Sequence, residues 1–154
     1  MKIAIGGDDV AGPLLDVIRA MLDASSQVEY IDMSQPITED VVEYYPDVAE
    51  RVALAVAQGE VQRGILVCGT GLGMAMTACK IPGIRAATCH DVYSAERAIK
   101  SNNAQILTLG ARIIGPEVGK TIVNAWLASE YEEGTRSEPK VKRMVEIDQK
   151  YLGS

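Results

Sequence analysis

Gly64-Ile65-Leu66-Val67-Cys68-Gly69-Thr70-Gly71-Leu72-Gly73 is the stretch that decides the fold. A short β-branched run ends abruptly at a turn with a glycine at every second position. A small-residue segment through Cys79 then has the spacing of a helix. Strand, glycine turn and helix in that order form one half of a parallel crossover unit. The same alternation continues outward in both directions. Upstream, Lys2 to Ile5 is an apolar run stopping at Gly6-Gly7, and Leu14, Val17, Ile18, Met21 and Leu22 recur at helical spacing. Val28 to Ile31 is a second strand. The polar stretch from Asp32 to Tyr45 is irregular, and Pro46 opens a helix whose apolar face runs from Val48 to Ala57. Downstream, Ile84 to Cys89 is a strand, Asp91 caps a helix over Tyr93 to Lys100, and Gln105 to Leu109 is a strand. Pro116 opens a helix to Leu127, and helical spacing returns from Pro139 to Tyr151. This order predicts an α/β domain of three layers, with a parallel sheet of about five strands and helices on both faces. Ligands of such sheets bind at the carboxyl ends of the strands. Those ends are Gly6 to Asp9, Cys68 to Gly73, His90-Asp91 and Gly110 to Arg112.

The 154 residues are 47% hydrophobic and 23% charged, the balance of one globular domain spanning 1–154. A chain of this size buries about 70% of its unfolded surface and needs no metal or disulfide to hold a core. Three cysteines make no disulfide framework. A net charge of −6 argues against a nucleic-acid partner, and no apolar run reaches the length of a membrane-spanning helix. The N-terminus reads as a strand rather than a signal peptide, so a reducing, cytoplasmic setting is expected.

Several residue groups carry chemistry or its structural counterpart. The Cys68-to-Gly73 turn presents backbone amides to an anion, and a thiol at such a turn is favoured as thiolate. By spacing alone it reads equally as a ligand cradle and as a tight turn around a buried cysteine. It fits neither the dinucleotide nor the Walker pattern. Asp8-Asp9 suits hydroxyl binding, metal binding or helix capping. His90, the single histidine, reads as structural beside Asp91 rather than as a general acid. Cys79 and Cys89 read as buried structural cysteines, and Met21, Met74, Met76 and Met144 as core. Arg112, Arg136, Lys140, Lys142 and Arg143 read as solvated surface unless the fold makes them converge. No zinc-ligand spacing is present.

In Met1-to-Gly6, Tyr45-Pro46-Asp47, Gly64-to-Met74, Ile81-to-Ala86, Asn102-Asn103-Ala104 and Leu109-to-Gly115, the chain resembles the ribose-5-phosphate isomerase B and galactose-6-phosphate isomerase group. The resemblance runs nearly the whole length in order. It implies a Rossmann-like domain and a homodimer, or a tetramer, with active sites shared at the subunit boundary. The C-terminal helix, about 139–151, would pack on the partner subunit. The implied reaction interconverts aldose and ketose phosphates through a cis-enediolate, with no cofactor and no metal. On this resemblance Cys68 is the base and Thr70 handles the sugar oxygens. The amides of Gly69, Gly71, Leu72, Gly73 and Met74 form the enediolate hole. Asp8 and Tyr45 meet substrate, Asn102 comes from the second subunit, and Arg112, Arg136 and Lys140 bind phosphate.

Two departures from the family pattern bear on the substrate. The family histidine after the first strand is Asp9 here, and the ring-opening histidine before the Asn pair is Ser101. Both positions are expected to line the substrate site. A furanose needs acid–base help to open, whereas a tetrose 4-phosphate has its O4 esterified and cannot close that ring. Tyr93-to-Arg97 and Ser101-to-Gln105 resemble the branch of the family that interconverts D-erythrulose 4-phosphate and D-erythrose 4-phosphate. The expectation is therefore a tetrose-phosphate isomerase. Ribose 5-phosphate isomerisation and a non-catalytic sugar-phosphate binding subunit stand as alternatives.

Overall fold

The computed structural model describes residues 1–36 and 41–151; positions 37–40 of the irregular stretch lie outside the described residues. The elements are β1 (Lys2–Gly7), α1 (Gly12–Asp23), β2 (Glu29–Asp32), α2 (Tyr45–Ala57), β3 (Arg63–Cys68) and α3 (Leu72–Ala78). They continue as β4 (Ala86–Thr88), α4 (Val92–Lys100), β5 (Ile106–Gly110), α5 (Pro116–Leu127) and α6 (Glu138–Tyr151). The five strands lie in the order β2-β1-β3-β5-β4, and every pairing is parallel. From β1 the chain steps out to β2, then crosses back to the other side of β1 for β3. That reversal opens a crevice at the carboxyl ends of β1 and β3, where Asp8 and Cys68 stand.

The strands are buried on both faces, so they read as continuous apolar runs rather than alternating ones. Their side chains still alternate in direction. Ile3, Ile5, Ile65, Val67, Leu107 and Leu109 join α1, α4 and α5 in one core, centred on the fully buried Trp126. Ala4, Leu66, Cys68 and Ile106 join α2 and α3 in the other. Cys68 therefore leaves the sheet on the α2/α3 side.

α6 stands apart, with Val141 as its one buried residue. Two of its other apolar side chains, Met144 and Ile147, line a shallow cleft with Cys79, Arg85 and Asn102. Three expectations are corrected here. Met144 is only partly buried rather than core, because α6 lays it along this cleft and not into either side of the sheet. Met76 is 65% exposed rather than core. α3 turns Met74 and Ala78 inward, which sends Leu72 and Met76, also four residues apart, outward. Cys79 is exposed, not buried, because it is the C-cap of this two-turn helix over the sheet's edge strand. Cys89 is buried as expected.

Candidate active site

The site begins at the end of β3. Gly71 has φ of +78°, and a Cβ there would lie 3.0–3.2 Å from backbone atoms of Leu109, so the position requires glycine. The tight turn brings the Gly71 N–H back onto Cys68 Sγ, to which it donates at 3.1 Å. Cys68 is 5% exposed and belongs to the α2/α3 core, so its sulfur sits at the floor of the rim. The first helical backbone bond is donated by Ala75 N–H to Gly71 O at 3.1 Å, which leaves the N–H groups of Gly73 and Met74 ahead of the ladder. Thr70 is exposed, with Oγ1 3.4 Å from the Leu72 nitrogen. A Cβ on Gly73 would fall 2.5–2.7 Å from the ring of Tyr45. The absence of that Cβ lets the tyrosine lie over the first turn of α3.

Neighbouring strand ends close around this turn. Ala111 N–H donates to Cys68 O at 2.8 Å and Arg112 N–H to Gly69 O at 3.0 Å, tying the β5 end to the β3 end. Arg112 Cδ lies 3.6 Å from where a Gly69 side chain would begin, so the guanidinium stem covers the turn. On the β1 side, Asp8 Oδ1 accepts the Val10 N–H at 3.1 Å. Burial, with the adjoining charge of Asp9, holds the Asp8 carboxyl above its ordinary value. Asp8, Asp9 and Tyr45 line a cleft of about 700 Å³ together with Arg19 and Ser34. His90 accepts the Gly110 N–H on Nε2 at 3.0 Å, and burial lowers its pKa. It pins the β5 end as a neutral acceptor, in keeping with a structural part. Asp91 caps α4, with Oδ1 accepting the Ser94 N–H at 2.7 Å.

The other expected residues lie elsewhere. α4 and α5 both run from the carboxyl end of the sheet to its amino end. Arg63, the first residue of β3, confirms the placement by donating to the carbonyls of Trp126 (3.1 Å) and Ser129 (2.8 Å). Ser101 is the C-cap of α4, and Asn102 follows it, donating from Nδ2 to Arg97 O at 3.2 Å. Arg136 lines a cavity of about 450 Å³ with Arg97, Lys100 and Ala128. Lys140 is exposed on the first turns of α6. The chain thus brings Asp8, Asp9, Tyr45, Cys68, Thr70 and Arg112 to one rim, and Ser101, Asn102 and Arg136 to the opposite end. A single copy does not unite them. The sequence reading passed over Arg97, although an arginine one helical turn before Ser101 shares its helix face. Among the described residues, no group of three or more His, Cys, Asp or Glu is placed to hold a metal ion. No described helix is long and apolar enough to cross a membrane.

Residues 3–144 match the sequence profile of the Ribose/Galactose Isomerase family. The chain is 49% identical over 150 residues to a ribose-5-P isomerase B of Listeria innocua, covering 97% of this chain and 99% of that one. It is 49% identical over 144 residues to a D-erythrulose-4-phosphate isomerase of Pectobacterium atrosepticum, covering 94% and 93%. Among solved structures, a Clostridium thermocellum ribose-5-phosphate isomerase B superposes with a TM-score of 0.83 at 40% identity, over 98% of this chain and 99% of that one. With a glycine-turn thiol at the switch point of a parallel sheet and a family match across nearly its whole length, this chain belongs to the ribose/galactose isomerase family.

Proposed function

We propose that this aldose–ketose isomerase of sugar phosphates acts on a tetrose phosphate, interconverting D-erythrulose 4-phosphate and D-erythrose 4-phosphate. Cys68 thiolate takes a proton from C1 of the ketose. The electron pair left behind forms the C1–C2 enediolate, and its negative charge falls on oxygen facing the Gly71-to-Met74 amides. Such fixed donors stabilise developing charge without reorganising. Thr70 passes a proton between O1 and O2, and Cys68 returns its proton to C2. C1 is oxidised to the aldehyde level and C2 is reduced, so no external redox partner enters. Asp8, Asp9 and Tyr45 face the sugar, while Arg112 on the same rim offers positive charge to the phosphate.

The single observation carrying the tetrose reading is the want of an imidazole acid. Positions 9 and 101 hold Asp and Ser, and the one histidine, His90, is occupied by the Gly110 N–H. A substrate that cannot form a furanose makes no use of such an acid. Ribose 5-phosphate is the second reading, because the ribose-5-P isomerase B relative is as similar, at 49% identity, as the erythrulose-4-phosphate one. The division of the site residues between two ends of the fold supports a homodimer, in which Ser101, Asn102, Arg136 and Lys140 of one copy complete the Cys68 rim of the other. The exposed Leu72 and Met76 beside that rim supply apolar surface for it. Three free thiols fit a reducing, cytoplasmic setting.

Turnover of D-erythrulose 4-phosphate and D-ribose 5-phosphate, measured side by side, tests the substrate. The expected kcat/KM preference for the tetrose is at least a hundredfold, worth about 2.7 kcal/mol of transition-state binding. Equal or better turnover of ribose 5-phosphate would overturn the tetrose reading.

A further inference from the structure

We propose that Arg97 is a phosphate-binding, specificity-determining residue, its guanidinium forming an oxyanion pocket with Arg136 and Lys100 at the amino end of the sheet. The proposal rests on the functional reading above in taking that pocket as the phosphate end of a site shared with a second copy.

Arg97 Nε is buried and has no hydrogen-bond partner among the described residues. Its guanidinium carbon lies 5.7 Å from the ring centre of Tyr93, a contact that satisfies no N–H donor. A buried charged donor left unpaired is costly, and native structures complete such groups with an acceptor. The nearby carboxylates are not that acceptor. Glu96 is 3.5 Å from Lys100 Nζ. Glu130 lines the cavity but its charge acts on Arg63, raising that guanidinium's pKa against the lowering by burial. Glu132 also lines the cavity but is exposed, and among the described residues no ion pair joins it to Arg97. The cavity holds about 450 Å³ and presents Arg97, Lys100 and Arg136 with the Thr135 and Ser137 hydroxyls. The Thr135 hydroxyl already donates to Glu132 O at 3.1 Å, which leaves three cations and the Ser137 hydroxyl to meet a tetrahedral dianion, and a guanidinium meets phosphate through two parallel N–H bonds.

Arg97 also shares its turn with the residues expected to touch the sugar. Ser101 N–H donates to Arg97 O at 3.0 Å, and Asn102 Nδ2 donates to the same carbonyl at 3.2 Å. A four-carbon chain holds its phosphate one carbon nearer the reacting centre than a five-carbon chain does. A guanidinium on the Ser101–Asn102 turn is placed to take a phosphate held closer in.

The test compares wild type with Arg97→Leu and Arg97→Gln in the full chain. Gln keeps an N–H donor without the charge, and it serves as the reading if Leu lowers the melting temperature. Two quantities are read: the KM and kcat for D-erythrulose 4-phosphate, and the affinity for inorganic phosphate by calorimetry. KM is expected to rise at least twentyfold with kcat changed less than threefold, and phosphate affinity to fall at least fivefold. Arg97→Lys should recover part of both. A phosphate affinity reduced less than fivefold in a folded variant would overturn the proposal. If wild type turns over no sugar phosphate, the functional reading fails in that arm alone, and the phosphate titration still decides the role of Arg97.

Discussion

Cys68 and Cys89 show how little separates a chemical thiol from an inert one. Cys68 Sγ receives a backbone N–H at the end of a central strand. Cys89 is buried, and burial together with the charge of Asp91 pushes its thiol up to about 11. The pair could be told apart in the sequence only through the glycines that follow Cys68. His90 belongs to the same scale. Its folded pKa lies below the unfolded value of about 6.5, because burial disfavours the imidazolium. The unfolded chain then binds more protons than the folded one between the two values, so this contribution is fully present above about 6.5 and is lost as pH falls from there through the lower folded value. Protonation would also turn Nε2 from the acceptor of Gly110 N–H into a donor. Wild type should therefore lose more melting temperature between pH 7.5 and 5.5 than His90→Asn, whose amide oxygen can still accept that N–H. Equal losses in the two proteins would remove His90 as the cause. Cys68, Thr70, Asp8 and the capping Asp91 were legible as residues because each sits at a strand end marked by glycine or by a helix start. Arg97 was not, since an arginine in a helix gives no sign of a buried Nε.

At the scale of elements, the crossover pattern made β1, β3, β5, α1, α2 and α5 legible to within a residue or two. β4 is shorter than the apolar run Ile84–Cys89 for a local reason. Ile84 N–H donates into a turn at Ile81 O (3.1 Å), and Arg85 N–H goes to the side chain of Gln105 (2.9 Å) rather than to the ladder. The inward and outward sides of α3 were illegible, because both Met74–Ala78 and Leu72–Met76 are apolar pairs at helical spacing. How α5 is anchored could not be read either, since it depends on a residue more than sixty positions earlier. Arg63 donates to the carbonyls of Trp126 and Ser129 and lies 5.3 Å from the Trp126 ring centre. It thus adds charged donors to carbonyls at the end of the helix, among them Trp126 O, which also accepts the Ser129 N–H at 3.2 Å. Replacing Arg63 with Met removes charged hydrogen bonds from a half-buried place. It should cost about 2 kcal/mol, within the usual range for such bonds. Urea unfolding would show a lower midpoint at unchanged slope. A loss under about 0.5 kcal/mol would mean that α5 is held by its apolar face alone.

The whole molecule has two polar ends separated by a buried sheet. The carboxyl end carries the thiol, the amides, the 700 Å³ cleft and Arg112. The amino end carries the basic cavity, Ser101 and Asn102. Sequence order alone disguises this separation, because Ser101 follows His90 by a single helix whose direction carries it to the far end of the sheet. Two copies related by a twofold axis can join each end to its opposite, making two equivalent sites. Cys68→Ala and Arg136→Ala then damage different halves of the same site. Each variant alone should lose at least a hundredfold in kcat/KM on D-erythrulose 4-phosphate. Mixed in equal amounts and allowed to exchange subunits, half the dimers become mixed, each with one intact site, and turnover should return to about a quarter of wild type. That recovery would establish together the isomerase reaction, the role of Cys68 and the shared site. Mixed dimers demonstrated by native mass spectrometry, yet no more active than the two variants apart, would contradict the account.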